Sequence, residues 1–323
     1  MIANEKMDFL KDKKILITGA TGLVGTNALM RFKRRPDIKV RAVYHAREPH
    51  VFSNNISYVK ADLTNFADCK RVVEGIDYVM MFAAKINRRG SDPTYLVPNF
   101  LMNFCMLEAA YQEGVKKLLW LSSVTAYPPS DKPLKEEQMF KSDPCDFYFP
   151  LGWMTRYIEI LCRMYATKLK RQMTTIIFRS TAIYGEYGDF ELSTCHVLSA
   201  LIRKVVERHR PLEIWGTGEA KRDFIYVGDV VDACFLALEK VNTFNEFNIG
   251  LGQSYSVKEI LDLILDIDNY NNASIIFDKS KSEKDISIFV DCTKTKEVLG
   301  FEAKTAIIEG VRKTIEWYKE SIG

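Results

Sequence analysis

Short apolar runs alternate along this chain with longer stretches whose apolar residues recur at helical spacing. Ile15 to Ile17 is too short for a buried helix and β-branched enough for a strand. Thr26 to Lys33 follows, with Ala28, Leu29 and Phe32 spaced to share one helical face. Further strands are expected at Lys39 to Tyr44, Ser57 to Val59, Tyr78 to Ala84, Lys117 to Leu121 and Thr174 to Arg179. Helices are expected from about Asn99 to Glu113 and from Leu151 to Lys170. Such alternation predicts an α/β fold, a doubly wound parallel sheet with helices on both faces. Beyond Tyr184 the pattern loosens. A helix over Ser193 to His209, a short strand at Leu212 to Trp215, a turn at Gly216-Thr217-Gly218 and a helix from Asp229 come first. A Ser256-capped helix and a last helix from Ala306 to Lys319 complete a smaller C-terminal lobe. The expected division is residues 1–180, to which roughly 222–245 return, and 181–323.

The junction after the first strand is the most informative stretch. Gly19, Gly22 and Gly25 follow it at spacing three, and a helix begins at once. In this context Gly19 lets the chain reverse, Gly22 lets backbone approach a pyrophosphate, and Gly25 lets helix pack on strand. The helix N-terminus then directs free N–H groups and a positive dipole end at the phosphates. Thr21, Leu23 and Val24 complete this candidate cofactor turn, which makes the expected sheet Rossmann-type. Adenosine would lie at the end of the second strand, where an acid accepts the 2′-hydroxyl of NAD. That end instead reads Tyr44, His45, Ala46 and Arg47, and Asp37 lies at the wrong end of the strand. A 2′-phosphate is therefore admissible, and both NAD(H) and NADP(H) stay open. Asp62, followed by Leu63, is placed either at the adenine amino group or at a helix N-terminus. Ala83 and Ala84 are small enough at the fourth strand's end to let a ligand approach. Lys85 beside them either contacts substrate or is solvated.

Hydrophobic residues make up 47% and charged residues 27% of the 323, which is enough apolar content for a sizeable core. The net charge of +3 is too mild, and the basic residues too dispersed, for a nucleic-acid partner. Seven scattered cysteines without a C-x-x-C pair indicate neither a disulfide framework nor zinc, and the four histidines lack ligand spacing. No metal is expected. Met1 to Lys13 is polar and reads as no signal peptide, and no apolar run reaches membrane-spanning length. A cytoplasmic protein with no membrane partner is expected.

Taken together, the motifs resemble a family. Thr18 to Gly25, Ala61 to Leu63, Phe82 to Lys85, Asn99, Leu121 to Ser123, Tyr184-Gly185 and Gly216 to Val227 are similar to the extended short-chain dehydrogenase/reductases. Within these the match is to the NAD-dependent epimerase/dehydratase group of nucleotide-sugar enzymes, and within that group most to the GDP-sugar enzymes, the GDP-L-fucose synthases among them. The resemblance runs from Lys14 to Trp317. It implies a Rossmann domain, a nucleotide-sugar-binding lobe and hydride transfer between C4 of a sugar and a nicotinamide. It also implies a homo-oligomer, dimer or tetramer, paired through the helices at Asn99 and Leu151.

The family's Tyr-x-x-x-Lys pair is missing. In one alignment Leu151 stands for the Tyr and Thr155 for the Lys, with Glu159 four residues on, as is common in the family. In the other, Tyr148 is the catalytic Tyr and Gly152 occupies the Lys position. The first fits better, through Gly152-Trp153 and Glu159. Leu has no proton to exchange, so Tyr148 is the candidate replacement donor, against an alternative in which it packs with Phe147 and Phe149. Ser123 matches the hydroxyl that orients the sugar, and Thr125 and Thr155 join it as catalytic candidates. Val124 and Thr125 replace an Asp-Glu that dehydration requires, which argues against a dehydratase. Lys85, Ser123, Val124, Tyr148, Thr181 and Arg222 form the implied substrate set. Ser122 and Thr155 belong to the cofactor set. Arg222 is expected to fork onto diphosphate oxygens or to pair with Asp223 or Asp229. Ala182 and Ser287 depart from the family's substrate pocket.

Overall fold

The computed structural model describes residues 4–85, 93–280 and 288–323. Its large layer begins with β1 (Lys14–Thr18), α1 (Leu23–Lys33), β2 (Lys39–Tyr44), β3 (Ile56–Lys60), α2 (Phe66–Val73) and β4 (Tyr78–Met81). It continues through α3 (Leu96–Gln112), β5 (Lys117–Ser123), α4 (Phe149–Thr167) and β6 (Thr174–Ser180). Then come β7 (Ala182–Tyr184), α5 (Val197–Val206), β8 (Leu212–Trp215), β9 (Lys221–Tyr226) and α6 (Val227–Lys240). The chain ends with β10 (Asn245–Ile249), β11 (Ser254–Ser256), α7 (Val257–Ile267), β12 (Ile275–Asp278), α8 (Thr293–Leu299) and α9 (Ile307–Ile322).

Seven parallel strands form the main sheet in the order β10-β6-β5-β4-β1-β2-β3. Period-two alternation assigns its faces. Ile15 and Ile17 join the core shared with α1 and α6, whereas Leu16 joins the core shared with α2, α3 and α4. All three are fully buried, which explains why the strand reads as continuously apolar. The order reverses between β4 and β1, and a crevice opens at such a switch point, at the strands' carboxyl ends.

Several boundaries differ from the sequence expectation, and three of them have a local reason. β4 stops at Met81 because the N–H groups of Phe82 and Ala83 both turn to the Thr18 hydroxyl, at 3.1 Å each. α4 starts at Phe149, two residues early, since Pro150 fits the first helical turn where no N–H partner is needed. α5 starts at Val197, because Asp189 and the Glu191 carbonyl tie residues 189–195 into a turn.

β11-β9-β7 and the β12-β8 pair, with α5, α7 and α9, enclose a second core built on Phe224, Leu201, Ile202, Leu261, Ile264 and Val311. Ser256 caps α7 as expected: its hydroxyl accepts the Glu259 N–H at 3.1 Å, while its own N–H donates to Glu259 at 2.7 Å. β9 pairs with β7 and β11 in this lobe, but its Ile225 already joins the core of the large sheet; α6 from Val227 packs on that sheet, and β10 becomes its edge strand beside β6.

Candidate functional site

Gly19 has φ +65, and a Cβ there would lie 2.8 Å from the Ala83 nitrogen. The turn is therefore pressed against the end of β4 across the switch point. A Cβ on Gly25 would lie 2.1 Å from the Gly19 carbonyl oxygen, so only glycine lets α1 approach the turn. Gly22 is the N-cap of α1 and makes no side-chain cap, and the first turn of the helix holds no acid. The first-turn N–H groups, at Leu23 and Val24, thus form a cradle that no side chain caps, with a positive dipole end behind it. Val24 anchors this turn in the core, and Thr21 is half-buried. The arrangement fits a dinucleotide's pyrophosphate.

At the adenosine end, His45 and Arg47 are exposed beyond β2. Asp62 holds Thr64 through its N–H at 2.9 Å and its hydroxyl at 2.7 Å. Those bonds, and after them the charge of nearby His45, hold its carboxyl below the usual range. It is not a helix cap, since α2 is capped by Asn65, which accepts the Ala67 N–H at 2.9 Å. Leu63 is buried and its carbonyl accepts from Cys69.

Lys85 is exposed after Ala83 and Ala84, and Asn99 on α3 clamps its backbone from both sides at 2.8 Å. Ser123 ends β5, and its hydroxyl oxygen accepts from the Thr125 N–H at 3.2 Å and the Thr125 hydroxyl at 3.0 Å. α4 presses on this turn at Gly152, where a Cβ would lie 3.1 Å from the Thr125 carbonyl and 2.6 Å from Pro144. Val124 is half-buried in the same turn. Arg156, buried on α4, donates to the Ala126 carbonyl at 2.8 Å and lies over the Trp153 ring.

Ser122 points elsewhere: its hydroxyl donates to buried Glu159 at 2.7 Å. Glu159 pairs with Arg179 at 2.7 Å, and Arg179 also donates to the Tyr127 hydroxyl and the Glu136 carbonyl. Tyr127 in turn donates to Asn248 at 2.7 Å. This buried network ties the ends of β5, β6 and β10 behind the site. Thr155 is buried on α4.

Tyr148 precedes α4 at the carboxyl edge of the sheet, half-buried, with its ring packed edge-on against Phe147 at 4.9 Å. Burial raises the pKa of its phenol, and the nearby Arg222 guanidinium opposes this. Arg222 lies on β9 and donates to the Lys221 carbonyl. Its expected acidic partners face elsewhere. Asp223 accepts from the N–H groups of Leu251 and Gly252 at 2.9 and 3.1 Å and from the Thr181 hydroxyl at 3.3 Å. Asp229 accepts the Thr305 N–H at 3.0 Å. Burial pushes Asp223 up to about 6, against those hydrogen bonds. Ala182 is half-buried in β7, and Ser287 lies outside the described residues.

Thr18, Asn99 and Arg179 shape the site without having been singled out for these contacts. A charged residue at the end of an apolar strand was the available signal for Arg179, whereas Thr18 and Asn99 gave no directional signal. Among the described residues no group of three His, Cys, Asp or Glu side chains is arranged to hold a metal, and no helix is long and apolar enough to cross a membrane.

The switch point, the glycine turn and the uncapped helix N-terminus define a dinucleotide-binding protein of the doubly wound class. The chain belongs to the NAD-dependent epimerase/dehydratase family, whose model matches residues 15–250. It is 26% identical to GDP-L-fucose synthase 1 of Arabidopsis thaliana over 97% of this chain and 95% of that one. It is 27% identical to the GDP-L-colitose synthase of Yersinia pseudotuberculosis over 94% of this chain and 97% of that one. Among solved structures, MoeE5 in complex with UDP-glucose and NAD superposes with a TM-score of 0.83 at 26% identity, covering 96% of this chain and 100% of that one.

Proposed function

We propose that the protein is a nucleotide-sugar oxidoreductase, transferring a hydride between C4 of a sugar and a tightly held nicotinamide cofactor, NAD(H) or NADP(H). Its substrate is a GDP-linked hexose or heptose of manno configuration, destined for surface polysaccharide. One observation carries this reading: the phosphate cradle, the Ser123–Thr125 turn and the Tyr148–Arg222 neighbourhood share one edge of the protein. Identities of 26% and 27% to enzymes named for GDP-sugars support the choice of nucleotide.

The cofactor, when bound, supplies or takes up the hydride. The chain's own residues do the rest. Leu23 and Val24 hold the pyrophosphate through N–H groups, and Thr155 takes the lysine's place toward the nicotinamide ribose. Ser123, fixed by Thr125, orients the C4 oxygen. The Tyr148 phenol is protonated near neutrality at its ordinary pKa of about 10, and burial shifts it further the same way, so it serves as the acid in the reducing direction. Arg222 forks onto the substrate diphosphate, and Lys85 contacts phosphate or hydroxyl. Proton transfer of this kind contributes about 10²–10⁴-fold. Tyr148→Phe is therefore expected to lower kcat by roughly a hundredfold or more with dinucleotide affinity unchanged. An unchanged kcat would remove Tyr148 from the chemistry.

The functional unit is a homo-oligomer. α3 exposes Val97, Leu101 and Phe104, and α4 beside it exposes Trp153, Tyr157 and Ile160 at 41%, 49% and 50%. Phe100 joins the two rows, with its ring 6.2 Å from Phe104 and 5.7 Å from Tyr157. A second copy covers this apolar face.

A second reading is favoured by Leu151 and buried Thr155 at the places of the Tyr and Lys: a sugar-nucleotide-binding protein with attenuated catalysis, or an epimerase. Stoichiometric reduction of a GDP-linked 4-keto sugar, followed by mass spectrometry, separates these. Product in one-to-one ratio with oxidised cofactor supports the oxidoreductase. Inversion without net cofactor change supports the epimerase, and no conversion supports the binding protein.

A further inference from the structure

Residues 185–190, between β7 and α5, serve no part of the chemistry above, yet they join the lobe to the large sheet. On the lobe side they are fixed. The Phe190 ring stacks on Tyr318 with centroids 4.3 Å apart and lies 5.9 Å from Trp317, and its carbonyl accepts from Arg203 at 3.0 Å. The Glu186 carboxylate accepts the Tyr226 hydroxyl at 2.8 Å. A Cβ on Gly185 would lie 2.4 Å from Val227, so the segment starts hard against the N-terminus of α6.

Toward the large sheet, beyond Gly185's approach to Val227, the segment makes two further contacts. Asn27 on α1 donates one amide to both the Leu23 carbonyl, at 2.9 Å, and the Glu186 carbonyl, at 2.8 Å. Leu23 opens the helix whose N–H groups form the phosphate cradle. The Tyr187 ring lies 5.8 Å from His50, on the stretch that follows His45 and Arg47, and 5.1 Å from Trp317 on its other side. Tyr187 has φ +64, a left-handed conformation that a bulky residue adopts only when its surroundings hold it there. The ring contacts on both sides supply that hold.

We propose that residues 185–190 form a strap over the adenosine-diphosphate end of the dinucleotide groove, and that Asn27, Tyr187 and His50 keep it shut. On this proposal the two contacts lie near the two ends of the span that pyrophosphate and adenosine ribose would occupy. Asn27 lies one turn behind the cradle, and His50 lies past the end of β2. A dinucleotide in that span leaves only when the lobe-anchored strap lifts. The strap thus makes the cofactor resident between turnovers. This inference rests on the reading of the groove as a dinucleotide site.

Release of NADH, chased with excess NAD and followed by energy transfer from tryptophan, tests it without any sugar substrate. Asn27→Ala and Tyr187→Ala are each expected to speed release by roughly tenfold, the effect of one lost neutral contact. Exposed His50→Ala, which leaves the core untouched, is expected to speed it by a smaller factor. Limited proteolysis gives a second readout: NADH protects residues 185–190 from cleavage in the parent and not in Tyr187→Ala. If all three variants bind NADH and release it at the parent rate, the strap is wrong while the dinucleotide site stands. If the parent binds no dinucleotide, the site and the strap both fall.

Discussion

Arg179→Met removes the centre of the buried network behind the site. The guanidinium reaches Glu159 through three contacts of 2.7 to 3.2 Å, and both side chains are only 3% exposed. It also donates to the Tyr127 hydroxyl at 2.8 Å and to the Glu136 carbonyl at 2.7 Å. Burial is the largest single influence and would lower the guanidinium's basicity, but the Glu159 charge, the Tyr127 hydroxyl and the hydrogen bonds to both together outweigh it and raise the pKa above its ordinary value. With Arg179 gone, Glu159 is left buried beside a single donor, Ser122, and the Glu136 carbonyl loses a bond. Breaking one side of a buried pair costs about 3–5 kcal/mol, a large fraction of a domain's stability. Removing both charges, in Arg179→Met with Glu159→Leu, restores most of that loss, because no uncompensated charge remains. Urea unfolding of the parent, both single variants and the double variant, read by tryptophan fluorescence, gives the coupling energy. A coupling of at least about 2 kcal/mol is expected. Additive singles, or an Arg179→Met variant within about 0.5 kcal/mol of the parent, the range of an ordinary surface substitution, would refute the argument that this pair holds the strand ends together.

Asp223 sets a pH dependence. Its folded pKa of about 6 lies above the ordinary carboxylate value, so its contribution is fully present below about pH 4 and is lost as pH rises through 6. The parent is expected to lose about 2 kcal/mol of stability relative to Asp223→Asn between pH 4 and 6, and no more than about 3 kcal/mol in all once pH passes 7, measured by chemical denaturation from pH 3 to 7. Parallel stability curves would contradict it. Gly25→Ala places a Cβ 2.1 Å from the Gly19 oxygen, and the displaced turn should weaken dinucleotide binding by roughly tenfold to a hundredfold, measured by calorimetry. Unchanged affinity would separate the turn from the cofactor. Tyr157→Glu puts a charge at the centre of the exposed α3–α4 face and is expected to give monomers by light scattering; an unaltered oligomer would place the interface elsewhere.

The large sheet was legible because its signals are local. β1, β2 and β6 are short apolar runs, and the glycines after β1 leave few alternatives. What escaped the sequence depends on contacts between distant residues. β7 and β11 are three residues each, too short for any periodicity, and β12 pairs with β8 from far along the chain. The end of β4 is set by a hydroxyl on β1, which no pattern within β4 reveals. Single hydroxyls carry no direction in a sequence, so Ser122 and Thr181 read as site groups, yet they donate to Glu159 and Asp223. Arg222 was recognisable as a candidate phosphate ligand, but its proximity to Tyr148 required the fold.

The central claim is hydride transfer at C4 from a cofactor held in the glycine-lined groove. Purified protein loaded with reduced dinucleotide carrying deuterium at nicotinamide C4, then mixed with a GDP-linked 4-keto sugar, tests it in one measurement. Mass spectrometry is predicted to find one deuterium at the sugar's C4, matched by one oxidised dinucleotide. Dinucleotide that stays bound and fully deuterated, with the sugar unchanged, would contradict it.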